Sequence, residues 1–173
     1  VNIYKGRVVN VLPGMEAAFV DIGQSKNAFL YIDDLLPAHL EKQPKVKPSI
    51  RELVQEGQEI VVQIVKEAFG SKGARVTTHF SLPGRWIVYM PGADYVGVSR
   101  KIDSETERQR LRELAESIRR PGEGMILRTV AAGESDASII RDLERLREQW
   151  ADILRRAETA PVPSEVYHEL DML

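Results

Sequence analysis

The chain of 173 residues has no cysteine. That excludes disulfides and thiolate metal sites and is in keeping with a reducing cytosol, so a cytoplasmic location is expected. No apolar run approaches the roughly 18 residues needed to cross a bilayer, so no membrane-spanning segment is expected. No basic segment followed by an apolar stretch marks a signal peptide. Charge of one sign is also lacking. The formal net charge is −2, from 24 Lys/Arg and 26 Asp/Glu. Residues 1–80 carry +1 (10 basic, 9 acidic) and residues 81–173 carry −3 (14 basic, 17 acidic). Any nucleic-acid site must therefore be a local patch rather than a global field. The three histidines, His39, His79 and His168, are scattered and make no ligand cluster. They read as ordinary surface or half-buried side chains.

What is present is a soluble globular composition large enough for one large domain or two small ones. The first half alternates as β-strands do. Strands are expected over Asn2–Leu12, Glu16–Ile22, Ala28–Ile32, Gln58–Lys66 and Ala74–Phe80. A polar, proline-punctuated connection runs from Pro37 to Glu56 and carries a short helix near Ser49–Gln55. Five short strands with a long third connection match an OB-type barrel, placed at residues 1–80. On the second strand Ala18, Val20 and Ile22 share one face and Phe19 the other. On the third, Ala28 and Leu30 oppose Phe29 and Tyr31. If the aliphatic faces form the core, Phe19 and Phe29 point outwards as a base-stacking platform. The same alternation also suits aromatic residues in the core of a sandwich. Lys5, Lys66, Lys72 and Arg75 are candidate phosphate contacts.

Residues 81–173 read as a smaller mixed α/β region with two to three helices. Strands are expected over Arg85–Met90, Tyr95–Arg100 and Met125–Val130, the second pairing with the first through the Pro91–Asp94 turn. A capping-box pattern at Ser104–Glu107 starts one helix. A second begins near Ser135, with its apolar stripe at Ile139, Leu143, Leu146, Trp150, Ile153 and Ala157. A third helical segment is expected from Pro163 to about Leu170. The fold class is thus α+β. Arg128 and Thr129 fall at a strand end, where a guanidinium beside a hydroxyl suits an anion. As an isolated pair they have little specificity.

Lys5-Gly6-Arg7-Val8-Val9, Ala17–Gly23 and Ala28-Phe29-Leu30 resemble the S1 RNA-binding domain. The wider pattern NIYKGRV…EAAFVDIG…AFL…GQEIVVQI…KGA resembles the ribonuclease E/G endoribonucleases, and the likeness continues along essentially the whole chain. The resemblance implies that residues 1–80 are an S1 domain contacting single-stranded RNA through Phe19, Phe29 and Lys72. It implies that residues 81–173 are a 5′-sensor region. There Arg128 and Thr129 would hold a 5′ monophosphate, Gly84 and Val88 would lie under the first base, and Arg100 would stand nearby. Pro83-Gly84-Arg85-Trp86 departs from the family's usual Ala-Gly-Ser-Tyr, which puts the shape of the base pocket in question. The family cleaves RNA with two aspartates that hold Mg²⁺ in a later domain, and its members are homo-oligomers used in RNA processing and mRNA decay. Neither those aspartates nor the family's zinc-linking cysteines occur here. Both ends read as cut from a longer protein. The expectation is an RNA-recognition fragment that needs no cofactor and does not itself cleave. The alternative is a non-catalytic S1-type RNA-binding regulator whose second half binds a partner.

Overall fold

A computed structural model describes residues 1–36 and 48–168. Residues 37–47 of the expected Pro37–Glu56 connection, and the chain after residue 168, lie outside the described residues. The chain forms two compact units, Val1–His79 with Ile153–Leu173, and Phe80–Asp152.

In the first unit β1 (Asn2–Leu12), β2 (Ala17–Asp21) and β3 (Ala28–Tyr31) form an antiparallel meander. Helix α1 (Ile50–Leu53) follows, begun by a capping box between Ser49 and Glu52. Strands β4 (Glu59–Lys66) and β5 (Arg75–Thr77) complete the set. β1 pairs with both β2 and β4, β4 with β5, and β5 runs parallel to β3. The five strands therefore close on themselves, the OB-type arrangement expected from their number and spacing. The inward faces supply the core: Val20, Ile22, Ala28, Leu30, Val62, Ala74 and Val76 are all fully buried. Strand β5 is shorter than its sequence run. Beyond Thr77, both the amide and the hydroxyl of Thr78 donate to the Asp34 carbonyl, taking Thr78 out of the ladder.

The second unit holds β6 (Leu82–Pro83), β7 (Ile87–Pro91), β8 (Val96–Val98), helix α2 (Glu105–Ile118), β9 (Glu123–Leu127) and most of α3 (Asp136–Thr159). Ser104 caps α2 by accepting from the Glu107 amide at 3.1 Å. The sheet order is β6-β7-β9-β8. This corrects the expected hairpin of Arg85–Met90 with Tyr95–Arg100, because β8 pairs parallel with β9 instead. α2 provides the helical crossover that a parallel pair requires. β9, with Glu123, Gly124, Met125 and Leu127 buried, takes the central place between β7 and β8.

A second correction concerns the C-terminal segment. Ser164–His168 is a strand, β10, not a helix. It pairs antiparallel with the start of β1, with Asn2 opposite His168 and Ile3 opposite Tyr167. Val166 and Tyr167 are buried by this pairing. Without β10 the first residues of β1 would present a bare strand edge, and covering that edge overrides the local helical signal.

Candidate nucleic-acid interface

Phe19 and Phe29 are directly opposite one another on β2 and β3. Both are half-buried, whereas their chain neighbours Ala18, Val20, Ala28 and Leu30 are fully buried. The aromatic faces thus stand outside the aliphatic core, and the sandwich-core arrangement does not apply. Tyr31 meets Phe29 edge-on, with ring centroids 5.3 Å apart and planes at 77°. Arg75 lies 5.1 Å over the Tyr31 ring, and its guanidinium is bonded to Asp34 at 3.1 Å. Phe19, Phe29, Tyr31, Met15, Lys26 and Lys72 are among the residues lining one cavity of about 570 Å³. Gly73, which also borders the cavity, passes so close to Asn27 that a Cβ there would lie 2.0 Å from the Asn27 carbonyl oxygen. No side chain could be accommodated where these two loops meet.

The expected cations divide. Lys72 is exposed on the cavity wall. Lys66 is exposed at the end of β4 but does not border the cavity. Lys5 also lies away from it: only 12% of its side chain is exposed, and its ammonium donates to the Ala160 carbonyl at 3.0 Å and lies 3.8 Å from Glu59. One exposed aromatic residue lies outside the sequence-derived set. Phe69 is 82% exposed and faces Lys72 across a tight hairpin closed by two 3.0 Å hydrogen bonds. Residues opposed in an antiparallel pair project from the same face, which sets this ring beside Lys72. An aromatic residue inside an otherwise polar Gly-Ser-Lys-Gly turn was the available signal.

In the second unit Arg128 and Thr129 follow β9 directly and are both exposed. The Arg128 amide donates to the Trp86 carbonyl at 2.8 Å. Its Nη1 donates to the Gly84 and Arg85 carbonyls at 2.9 and 3.3 Å. One edge of the guanidinium is thereby held by the turn between β6 and β7, leaving other N–H groups for an anion. Thr129 Oγ1 lies 2.7 Å from Ser99 Oγ, which also accepts from the Lys101 amide at 3.2 Å. Either hydroxyl can donate in this pair; when Ser99 donates, the Thr129 proton is left for another acceptor. Ser99 is brought there by the parallel β8–β9 pairing, its amide donating to the Leu127 carbonyl at 2.9 Å. Arg100 is exposed on the next residue.

Val88 is half-buried on β7, opposite Ile126 and Pro83. Gly84 is buried, and a Cβ there would come within 2.6 Å of Asp142 Oδ2 and of Leu146 Cδ1. Asp142, absent from the sequence-derived set, accepts from the amides of Arg85, Trp86 and Ile87 at 3.1, 2.8 and 3.1 Å. Burial works to raise its pKa, but these amides and Arg145 outweigh it and hold the carboxyl below its usual range. β7 begins at Ile87, two residues later than the sequence run, after the Arg85 and Trp86 amides have been taken by this carboxylate. The Arg85 guanidinium stacks 4.8 Å from the Trp86 ring.

Residues 81–173 match the model of the Ribonuclease E/G family. Ribonuclease G of Haemophilus influenzae is 50% identical over 97% of this chain, and Ribonuclease G of Escherichia coli 44% identical over 98%. Ribonuclease E of Nostoc is 42% identical over 99%. The chain spans 35%, 36% and 25% of these three relatives' lengths respectively. Its barrel, its small α/β unit and these matches together place the chain in the ribonuclease E/G family.

Proposed function

We propose that this chain is the RNA-recognition part of an endoribonuclease acting in RNA processing. The barrel takes single-stranded RNA, stacking bases on Phe19 and Phe29 while Lys72 meets a phosphate. Stacking contributes about 1–3 kcal/mol per base and tolerates any sequence. The second unit takes the 5′ monophosphate through the Arg128 guanidinium and the Thr129 hydroxyl. Gly84 and Val88 sit beneath the first base, and Arg100 adds positive charge. The observation that carries the reading is the held guanidinium: Arg128 is fixed along one edge by two carbonyls while remaining exposed.

No cleavage step is assigned to these residues. Among the described residues no three acidic or histidine side chains converge to hold a metal ion. Of the adjacent acids Asp33 and Asp34, the latter is committed to Arg75.

The test is equilibrium binding of a short single-stranded RNA bearing a 5′ monophosphate or a 5′ hydroxyl. Wild type is expected to prefer the monophosphate. Arg128→Ala removes a charge-assisted bond and should lower that preference by about tenfold or more. Phe29→Ala should weaken both RNAs alike, by about fivefold to a hundredfold. Equal wild-type affinity for the two ends would refute the phosphate site and favour an end-blind RNA-binding regulator.

A further inference from the structure

Asp142 lies on α3, and its side chain is only 3% exposed. It gathers three consecutive main-chain amides, those of Arg85, Trp86 and Ile87. Arg145 Nη2 bonds the same carboxylate at 2.9 Å. A carboxylate offers about four lone-pair sites, so these four donors saturate it. The opposite side of the same turn faces Arg128. The Gly84 and Arg85 carbonyls receive its guanidinium, and the Trp86 carbonyl receives its amide. The turn is clamped between an acceptor on one side and a cation on the other. Gly84 lets it seat fully, since any Cβ would strike Asp142 and Leu146.

We propose that Asp142 is a positioning residue for the 5′-end site: by fixing the amides of Arg85–Ile87 it directs the turn's carbonyls at Arg128 and so aims the guanidinium at the phosphate. The inference rests on the phosphate reading given above. A carboxylate is required for a chemical reason. An asparagine amide has the right shape, but its oxygen has two lone pairs and its NH₂ would confront an N–H donor. Nor does the acid repel the ligand it serves, because Arg145 and the amides neutralise it locally.

The experiment is a double-mutant cycle on the full chain. Affinities for 5′-monophosphate and 5′-hydroxyl RNA are measured for wild type, D142N, R128A and the double variant. D142N should lower the monophosphate preference by about tenfold while leaving hydroxyl-RNA affinity unchanged. The double variant should fall no further than R128A, because the two residues act through one contact. A D142N protein with wild-type preference, or effects that add in the double variant, would overturn the proposal. If wild type itself shows no preference, the phosphate reading fails and takes this proposal with it. A preference that wild type and D142N share removes only the role of Asp142. Both tryptophans, Trp86 and Trp150, lie in the Phe80–Asp152 unit, so their emission reports its folding directly. Should D142N give the emission of the urea-unfolded chain, Asp142→Glu carries the test. It keeps the charge but shifts both oxygens by a methylene. A folded D142E with reduced preference supports the role, and a folded D142E with full preference overturns it.

Discussion

Glu123 opens β9 and is 7% exposed, yet it carries a charge. Arg147 bonds it through two nitrogens at 2.6 and 2.7 Å, Tyr89 donates its hydroxyl at 2.7 Å, and the Arg120 amide donates at 2.8 Å. Burial alone would raise its pKa. Those bonds prevail and hold it at about 2, against an ordinary 4.5. The unfolded chain therefore takes up this proton as pH falls through about 4.5, while the folded chain resists until about 2. The stabilisation from Glu123 is complete above that window and is lost across it. Urea titrations followed by tryptophan emission from about pH 6 to about pH 3 should show the midpoint declining with acidity. Glu107 and Asp142 are shifted in the same direction, so the difference from Glu123→Gln isolates this residue. That variant should cost about 3 kcal/mol at neutral pH, because Arg147 keeps its charge without its partner. Its midpoint should also vary less with pH. A wild-type acid dependence retained in full would refute the account. None of this cluster was legible from the sequence. Tyr89, Glu123 and Arg147 lie on three different elements, and only the fold brings them together. Phe19 and Phe29 were legible because strand alternation alone separates their face from the aliphatic one. Arg128 and Thr129 stood out only through family resemblance, since an Arg-Thr pair has no periodicity of its own.

Among the elements, those with strong local patterns came through: β1, the α2 cap at Ser104 and the apolar stripe of α3. The failures occurred where a distant partner decides the conformation. Val96–Val98, within the expected Tyr95–Arg100 run, pairs with a strand beyond the next helix, and Ser164–His168 pairs with β1. Propensity cannot see either partner. The second case gives a test. A chain ended after Ala160 lacks β10, exposing Ile3 and its neighbours and losing the burial of Val166 and Tyr167. Two large apolar side chains account for about 4 kcal/mol. Urea unfolding should show a loss of that order, and sedimentation should show association through the bared β1 edge. A truncated barrel as stable and monodisperse as the intact one would show that β10 is ornamental.

For the whole molecule, the near-neutral charge bears on the RNA binding proposed above. Lys72, Arg100 and Arg128 are the cations the proposed sites offer. Three phosphate contacts on a single strand give a slope of about −2 in log K against log salt. Binding of the 5′-monophosphate RNA between low and physiological salt should follow that slope. A slope steeper than about −5 would mean that a broader electrostatic surface, not these groups, holds the strand.

The pairing of Asn2 with His168 also bears on the order of events during synthesis. A ribosome releases the barrel's first five strands by residue 77, but their sixth companion emerges only after the whole Phe80–Asp152 unit has been made. At about 5–20 residues per second, the nascent barrel waits several seconds with one edge uncovered. The inserted unit can fold during that interval, because every strand of its sheet falls within its own continuous stretch. Of the six strands in this sheet, β1 is made before the others and gains its β10 neighbour last.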